Sequence, residues 1–344
     1  MRNESRELEE RGVKIGVEML TIHTKRTFTI ARSSSDTFER VILTLEKGGA
    51  SGRGEAAPTS YYEQDAAGVA AALEQTRIND PWDIKGTLEE NNFLPPSALS
   101  ALDSALHDLA AERLGFPVYR LLGLARPEPV SAYTLAIADP ETTLREAKRL
   151  AEFPVLKMKV GGEEDLETVR AVTEASEAAL WVDANEAFSP EEAPEVAREL
   201  AAMDSVRMIE QPVAASAGPV ALRVVMEAAR PVPVIADESA IAAQDVPRLA
   251  GCVTGVNVKL AKCGGLRRAL KMIHVARAHG MLVMLGCMVE TSLGVAAAAQ
   301  ISGLVDFVDL DGAMLLADDP FTGLGYEKGR IYLPESPGLG VEPL

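Results

Sequence analysis

Residues 155–160 read VLKMKV, and runs of the same kind recur along the chain: LWVDA (180–184), VRMIE (206–210), VPVIAD (232–237), GVNVKL (255–260), MLVMLG (281–286) and VDFVDLD (305–311), with VSAYTLAI (130–137) ahead of them. Each is short and apolar, as a strand covered on both faces requires. Between them lie segments with helical periodicity, such as ETTLREAKRLAE (141–152), DLETVRAVTEAS (165–176), PEEAPEVARELAA (190–202) and GLRRALKMIHVARAHG (265–280). Eight strand candidates alternating with seven helices imply a parallel sheet, since parallel strands need a crossover between them. That many units in about 180 residues predict a closed α/β barrel. An open doubly wound sheet is the alternative. It would ordinarily open on a glycine-rich turn, and neither GxGxxG nor a Walker sequence is present.

The chain ahead of this alternation has a different texture. VKIGVEMLTIHT (13–24) and FERVILTLEKGG (38–49) alternate like strands, and SALSALDSALHDLAAERLG (97–115) follows as a helix. Its Leu102, Leu106, Leu109 and Ala110 share a face, and Gly115 closes it. Strands followed by helices predict an α+β domain over residues 1–125, completed by the Pro- and Gly-rich tail at 324–344, with the barrel at 126–323.

The bulk properties exclude several functions. A net charge of −17, from 51 acidic and 34 basic residues, opposes binding to nucleic acid or anionic membrane, and no basic cluster overrides it. No apolar run is long enough to span a bilayer. The opening residues MRNESRELEE are too charged for a signal peptide's apolar segment. The three cysteines, Cys252, Cys263 and Cys287, form no CxxC and read as reduced thiols in a cytoplasmic protein. His23, His107, His274 and His279 make no zinc pattern, and the last two are expected on a helix surface or rim.

The chemistry is expected at the C-terminal strand ends, where barrels of this type carry it. Asp183 to Glu210 and Glu210 to Asp237 are each 27 positions, about one βα unit, so three carboxylates occupy one level of successive strands. Side by side they would repel, and a hard divalent cation resolves that; all-oxygen ligation favours Mg²⁺ over zinc. Lys157 and Lys159, two apart, point to the barrel interior while Leu156, Met158 and Val160 face the helices. Lys259 points inward from the opposite side, and Lys262 lies beyond its strand as a structural residue. Cations crowded beside a metal are expected to have depressed pKa values, with Lys157 tuning Lys159 by repulsion. One amine can then take a proton next to a carboxylate while the opposite ammonium returns one.

These residues resemble the enolase superfamily, in its muconate-lactonizing-enzyme subgroup. Lys157-Met158-Lys159 resembles the subgroup's KxK motif. VDAN (182–185), IEQP (209–212) and ADES (236–239) resemble its three metal-ligand strand ends, and VKLAKCGG (258–265) its second lysine strand. GRGEAAP (52–58) and ALHDLAAERLGFPVYRLLG (105–123) resemble its capping domain. The resemblance covers nearly the whole chain. It implies a (β/α)7β TIM-like barrel with an α+β capping domain, catalytic lysines 157, 159 and 259, and Mg²⁺ on Asp183, Glu210 and Asp237. Mandelate-type racemases and sugar-acid dehydratases use a histidine on the seventh strand, and MLVMLGCMVE (281–290) has none. Asp309-Leu310-Asp311 resembles the DxD motif with which dipeptide epimerases hold the substrate's α-ammonium, and GCMVETSLG (286–294) is also similar to theirs. Thr134 matches a residue near the substrate. Arg32 matches a cap-loop arginine that meets an acidic side chain in alanine–glutamate epimerases.

The expected function is therefore Mg²⁺-dependent epimerisation of a small dipeptide, with Ala-Glu, as in peptidoglycan recycling, as the first choice. N-acyl amino acid racemase, o-succinylbenzoate synthase and muconate-type cycloisomerase are the alternatives within the family. A Schiff-base aldolase using Lys259 and a non-catalytic binding barrel lie outside it. A homo-oligomer is left open.

Overall fold

The computed structural model describes residues 12–162 and 164–344, so MRNESRELEE lies outside the described residues. The first sheet is antiparallel, with β1 (Lys14–Ile30), β2 (Ser33–Lys47) and β3 (Ala50–Ala56) in that order. The sequence reading missed β3, and its glycines explain why. Gly52 and Gly54 are buried against the helix Pro96–Leu114, where an alternating strand would carry apolar side chains. A Cβ on Gly54 would sit 2.0 Å from the carbonyl oxygen of Ala101, and one on Gly52 2.3 Å from that of Ala105. Sheet and helix backbones are thus in direct contact, which glycine alone permits. Gly54→Val is expected to destabilise the protein by at least ~3 kcal/mol, read as a lower midpoint in urea with m unchanged; an unshifted midpoint would disprove this contact.

That helix departs from expectation in a second way. The sequence suggested one apolar face, but every residue from Ser97 to Ala111 is buried. It lies between the cap sheet and the barrel, and its polar residues tie the two together. Asp103 accepts a hydrogen bond from the backbone N–H of Arg267 (2.8 Å). Asp108 accepts from the N–H groups of Arg53 (2.7 Å) and of Leu339 in the C-terminal segment (2.6 Å). Gly115 ends the helix with φ 73°, as the sequence predicts.

The barrel strands are β4 (Tyr133–Leu135), β5 (Val155–Lys159), β6 (Ala179–Asp183), β7 (Val206–Glu210), β8 (Val234–Ala236), β9 (Gly255–Lys259), β10 (Leu282–Gly286) and β11 (Phe307–Asp309). They pair in chain order and all in parallel. The seam between the first and last strands is closed by the Ala132 N–H donating to the Val308 carbonyl (3.0 Å) and the Leu310 N–H to Ser131 Oγ (2.8 Å). Leu156, Met158 and Val160 join the large core between strands and helices, as predicted. Inside, Trp181, Met208, Ile235 and Met284 plug the lower barrel. This plug confines the chemistry to the upper rim. His274 and His279 are exposed. No helix among the described residues is long and apolar enough to cross a membrane.

Candidate active site

Strand register builds the site. Lys159 pairs with Asp183 and Asp183 with Glu210, so three functional side chains share one level. Glu210 pairs with Ile235, which puts Asp237 two residues higher on the same face. Lys259 pairs with Gly286 and Gly286 with Asp309, continuing the ring. Just past β6, Asn185 and Glu186 have φ values of 42° and 72°, and past β7 Gln211 has 34°. Non-glycine residues held left-handed cost energy, and here they turn the chain sharply away from the carboxylates.

Lys157 is the hub. Its Nζ lies 2.9 Å from Asp183 Oδ2, 2.7 Å from Glu210 Oε2 and 2.7 Å from Asp309 Oδ2, fully buried. Lys159 Nζ is 2.5 Å from Asp183 Oδ2. On the far side Lys259 Nζ is 2.9 Å from Asp237 Oδ2. Asp237 also pairs with Lys262, whose ammonium donates to the carbonyls of Asp237, Ala240 and Asn257. The structural role expected for Lys262 is thus that of a buried anchor.

Without the metal, these contacts set lysine electrostatics opposite to those expected beside a bound cation. Burial alone would lower the pKa of Lys157, but Asp183, Asp309 and Glu210 raise it well above the usual value. Burial opposes charge on Lys259 too, and Asp237 outweighs it, so that pKa is also raised. Repulsion between lysines is the smaller effect because each of these two ammonium groups faces carboxylates at contact distance. The same pairing holds Asp183 and Asp237 below the usual carboxylate range against the effect of burial. Burial and the Asp183 charge instead push Glu210 up to about 7.

A cavity of about 670 Å³ lies above, lined by Lys157, Lys159, Lys259, Asp237, Asp309, Asp311, Thr134 and Arg32, while Asp183 and Glu210 are fully buried. Asp311 Oδ2 accepts from the Thr134 backbone N–H (2.6 Å), and burial together with the Asp309 charge raises Asp311 to about 7. Asp309 Oδ1 is buried without a hydrogen-bond partner. Arg32 reaches down from the cap. It donates to Glu238 Oε1 (2.6 Å) and the Asn185 carbonyl (3.0 Å), and lies over the Tyr61 ring at 4.3 Å. Tyr61 in turn donates to Glu186 Oε2 (2.9 Å).

Several participants escaped the sequence reading. Asn257 donates to Glu210 Oε1 (2.7 Å); lying two residues before Lys259, it was available to the same alternation argument. Arg40 donates to the Val289 carbonyl (2.7 Å), and Glu55 accepts from the N–H groups of Thr291 and Gly294 at the start of the helix Ser292–Ala299. These cap residues orient the loop after β10 across more than 200 positions of sequence, a distance that carries no local signal.

Among the described residues no three acidic, histidine or cysteine side chains stand in metal-ligating geometry; the lysines engage the carboxylates instead. The donor set nonetheless suits a hard divalent cation. Asp183, Glu210 and Asp237 are buried and offer only oxygen, Glu210 Oε2 faces the Lys157 ammonium alone, and Glu238 Oε2 and Asn185 Oδ1 are buried without hydrogen-bond donors.

Residues 14–123 match the mandelate racemase / muconate lactonizing enzyme N-terminal domain, and residues 142–344 match the enolase C-terminal domain-like family. The chain belongs to this family. It is 35% identical over 325 residues to an L-Ala-D/L-Glu epimerase of Bacteroides thetaiotaomicron, covering 92% of this chain and 84% of that protein. It is 36% identical over 344 residues to a hydrophobic dipeptide epimerase of Roseobacter litoralis, covering 94% and 98%. Its fold superposes on the dipeptide epimerase of Enterococcus faecalis, solved with Mg and L-Leu-L-Tyr, with a TM-score of 0.90 at 31% identity over 95% of this chain and 98% of that one. Family membership places the two-domain architecture in one known scaffold, while the relatives differ in the dipeptide side chains they are named for.

Proposed function

We propose that the protein is a magnesium-dependent dipeptide epimerase that inverts the α-carbon of the C-terminal residue. The observation that carries this reading is the placement of Lys159 and Lys259 on β5 and β9, the second and sixth of eight strands, facing one cavity from opposite sides. Asp183, Glu210 and Asp237 would hold the Mg²⁺. Bound there, the ion would receive the substrate carboxylate, offset charge developing on it, and relieve the carboxylates' pull on the lysines.

A neutral Lys159 or Lys259 takes the α-proton from its own face; the C–H bond pair moves into the carboxylate to give an enediolate. The opposite ammonium then delivers a proton to the other face, so the two lysines exchange protonation states and the reverse direction is set. Lys157, charged and buried between them, supplies fixed positive charge beside the reacting carboxylate. Asp309 and Asp311, rigid at the seam with an unpaired oxygen on Asp309, suit the substrate's α-ammonium. Thr134 borders the same place. Arg32 suits an acidic side chain, whose carboxylate would replace Glu238 as its partner, so Ala-Glu is the first substrate to try. Free thiols at Cys252, Cys263 and Cys287 suit a cytoplasmic site, and an Ala-Glu substrate suits a role in peptidoglycan recycling.

The test is proton NMR in D₂O with Mg²⁺ and a panel of L,L-dipeptides that includes Ala-Glu. Expected is loss of the C-terminal residue's α-proton signal as the L,D-diastereomer grows in. Exchange with N-acyl amino acids but no dipeptide would move the assignment to an N-acyl amino acid racemase.

A further inference from the structure

A second cavity, of about 380 Å³, lies against the first, and Phe28, Thr134 and Leu315 line both. It occupies the barrel seam beneath the cap, where the β1–β2 register breaks between His23 and Phe28. Thr24 Oγ1 donates to the Arg26 carbonyl (2.6 Å) across that break. The wall nearest the active site is apolar, with Phe28, Leu315 and Ile137. The far end is charged. There Arg26 and Arg149 both pair with the single carboxylate of Glu146, Arg149 Nε at 2.8 Å from Oε2. Two guanidinium groups share one anion, so this end carries net positive charge within a protein of net charge −17.

We propose that this second cavity receives the side chain of the dipeptide's N-terminal residue, and that the enzyme accepts long N-terminal side chains with an acidic end. The inference rests on the dipeptide epimerase reading above. With the α-ammonium held at Asp309 and Asp311, the N-terminal α-carbon lies beside Thr134, at the partition between the cavities. The lysine side is filled by the residue being epimerised, which leaves the second cavity for the other side chain. A space of this size falls in the ~300–1,000 Å³ range of small-ligand pockets and far exceeds what an alanine methyl fills. Apolar walls suit the methylene stem, and the arginine pair suits a carboxylate but opposes an ammonium.

The experiment compares kcat/KM for dipeptides that share one C-terminal residue and begin with Ala, Leu, Glu or Lys. Expected for the wild type is Glu and Leu at least equal to Ala, with Lys at least tenfold below Glu. Ala136 lines the second cavity but not the first, and is half-buried. Ala136→Phe should lower turnover of the Leu and Glu dipeptides tenfold or more while the Ala dipeptide stays within twofold. Arg149→Glu, a change at an exposed position, should remove the preference for Glu over Lys. Active enzyme with no N-terminal discrimination, or an Ala136→Phe loss equal for all four, overturns the proposal alone. A wild type that turns over no dipeptide overturns it together with the reading beneath it.

Discussion

Lys159→Ala and Lys259→Ala are each expected to abolish net epimerisation, by about 10³-fold or more, and each to retain exchange of the α-proton from one diastereomer only. The asymmetry follows from placement on opposite strands. Removing one lysine leaves the other able to take and return a proton on its own face, with solvent deuterium entering and no inversion. The two variants should therefore label opposite diastereomers. The measurement is the α-proton integral of each separate diastereomer in D₂O. A Lys259→Ala protein that still interconverts both forms at the wild-type rate would eliminate the two-base mechanism. Loss of all exchange in a folded variant would place that lysine in binding instead of proton transfer. A Schiff-base aldolase makes a different demand, since borohydride with substrate would trap Lys259 and chelation would leave activity intact.

Glu210→Gln should abolish Mg²⁺ binding and reduce turnover together. The amide oxygen can still accept from Asn257, so that hydrogen bond survives, and the change removes the negative charge that faces Lys157 and would face the cation. Its best readout is independent of catalysis. A cation that binds only the folded state stabilises it by about 2.7 kcal/mol at 100 times its dissociation constant. Wild-type protein should thus melt several degrees higher with saturating Mg²⁺ than after EDTA treatment, and the variant should show no shift. An equal shift in both proteins would remove Glu210 from the ligand set.

The barrel and its ring of charges were legible in the sequence because both are periodic. Strand spacing sets the 27-residue interval from Asp183 to Glu210 to Asp237, and strand pleat sets the two-residue interval between Lys157 and Lys159. The pairing of Lys159 with Asp183 and of Asp183 with Glu210 is what those intervals predict. Features without a period were harder. β3 hides behind glycines chosen for closeness to a helix, so its pattern is of absent side chains. The all-round burial of the helix at 97–111 depends on two partners, and a sequence reads only the helix's own pattern. The raised Lys157 pKa of the metal-free site was not legible, because spacing shows that charges are near one another, while contact distances decide which neighbour dominates. Arg40 and Glu55 act on a loop encoded more than 200 residues away, and only the folded chain brings them to it.

The burial of that cap helix has an evolutionary consequence. Its aspartates are committed to backbone groups at Arg53, Arg267 and Leu339, and Gly52 and Gly54 are committed to its backbone. A substitution on any side of it must be matched on another, so the helix and its partners can change only in concert. The side chains of Arg32, Phe28 and Tyr61 on the rim face the active-site cavity, where no backbone approaches as closely as at Gly52 and Gly54. New substrate preferences in this lineage should therefore arise by exchange of short rim segments on an inherited body. A whole cap transplanted from a relative would bring its own aspartates and glycine clearances, and would have to find backbone N–H groups placed as those of Arg267 and Leu339 are.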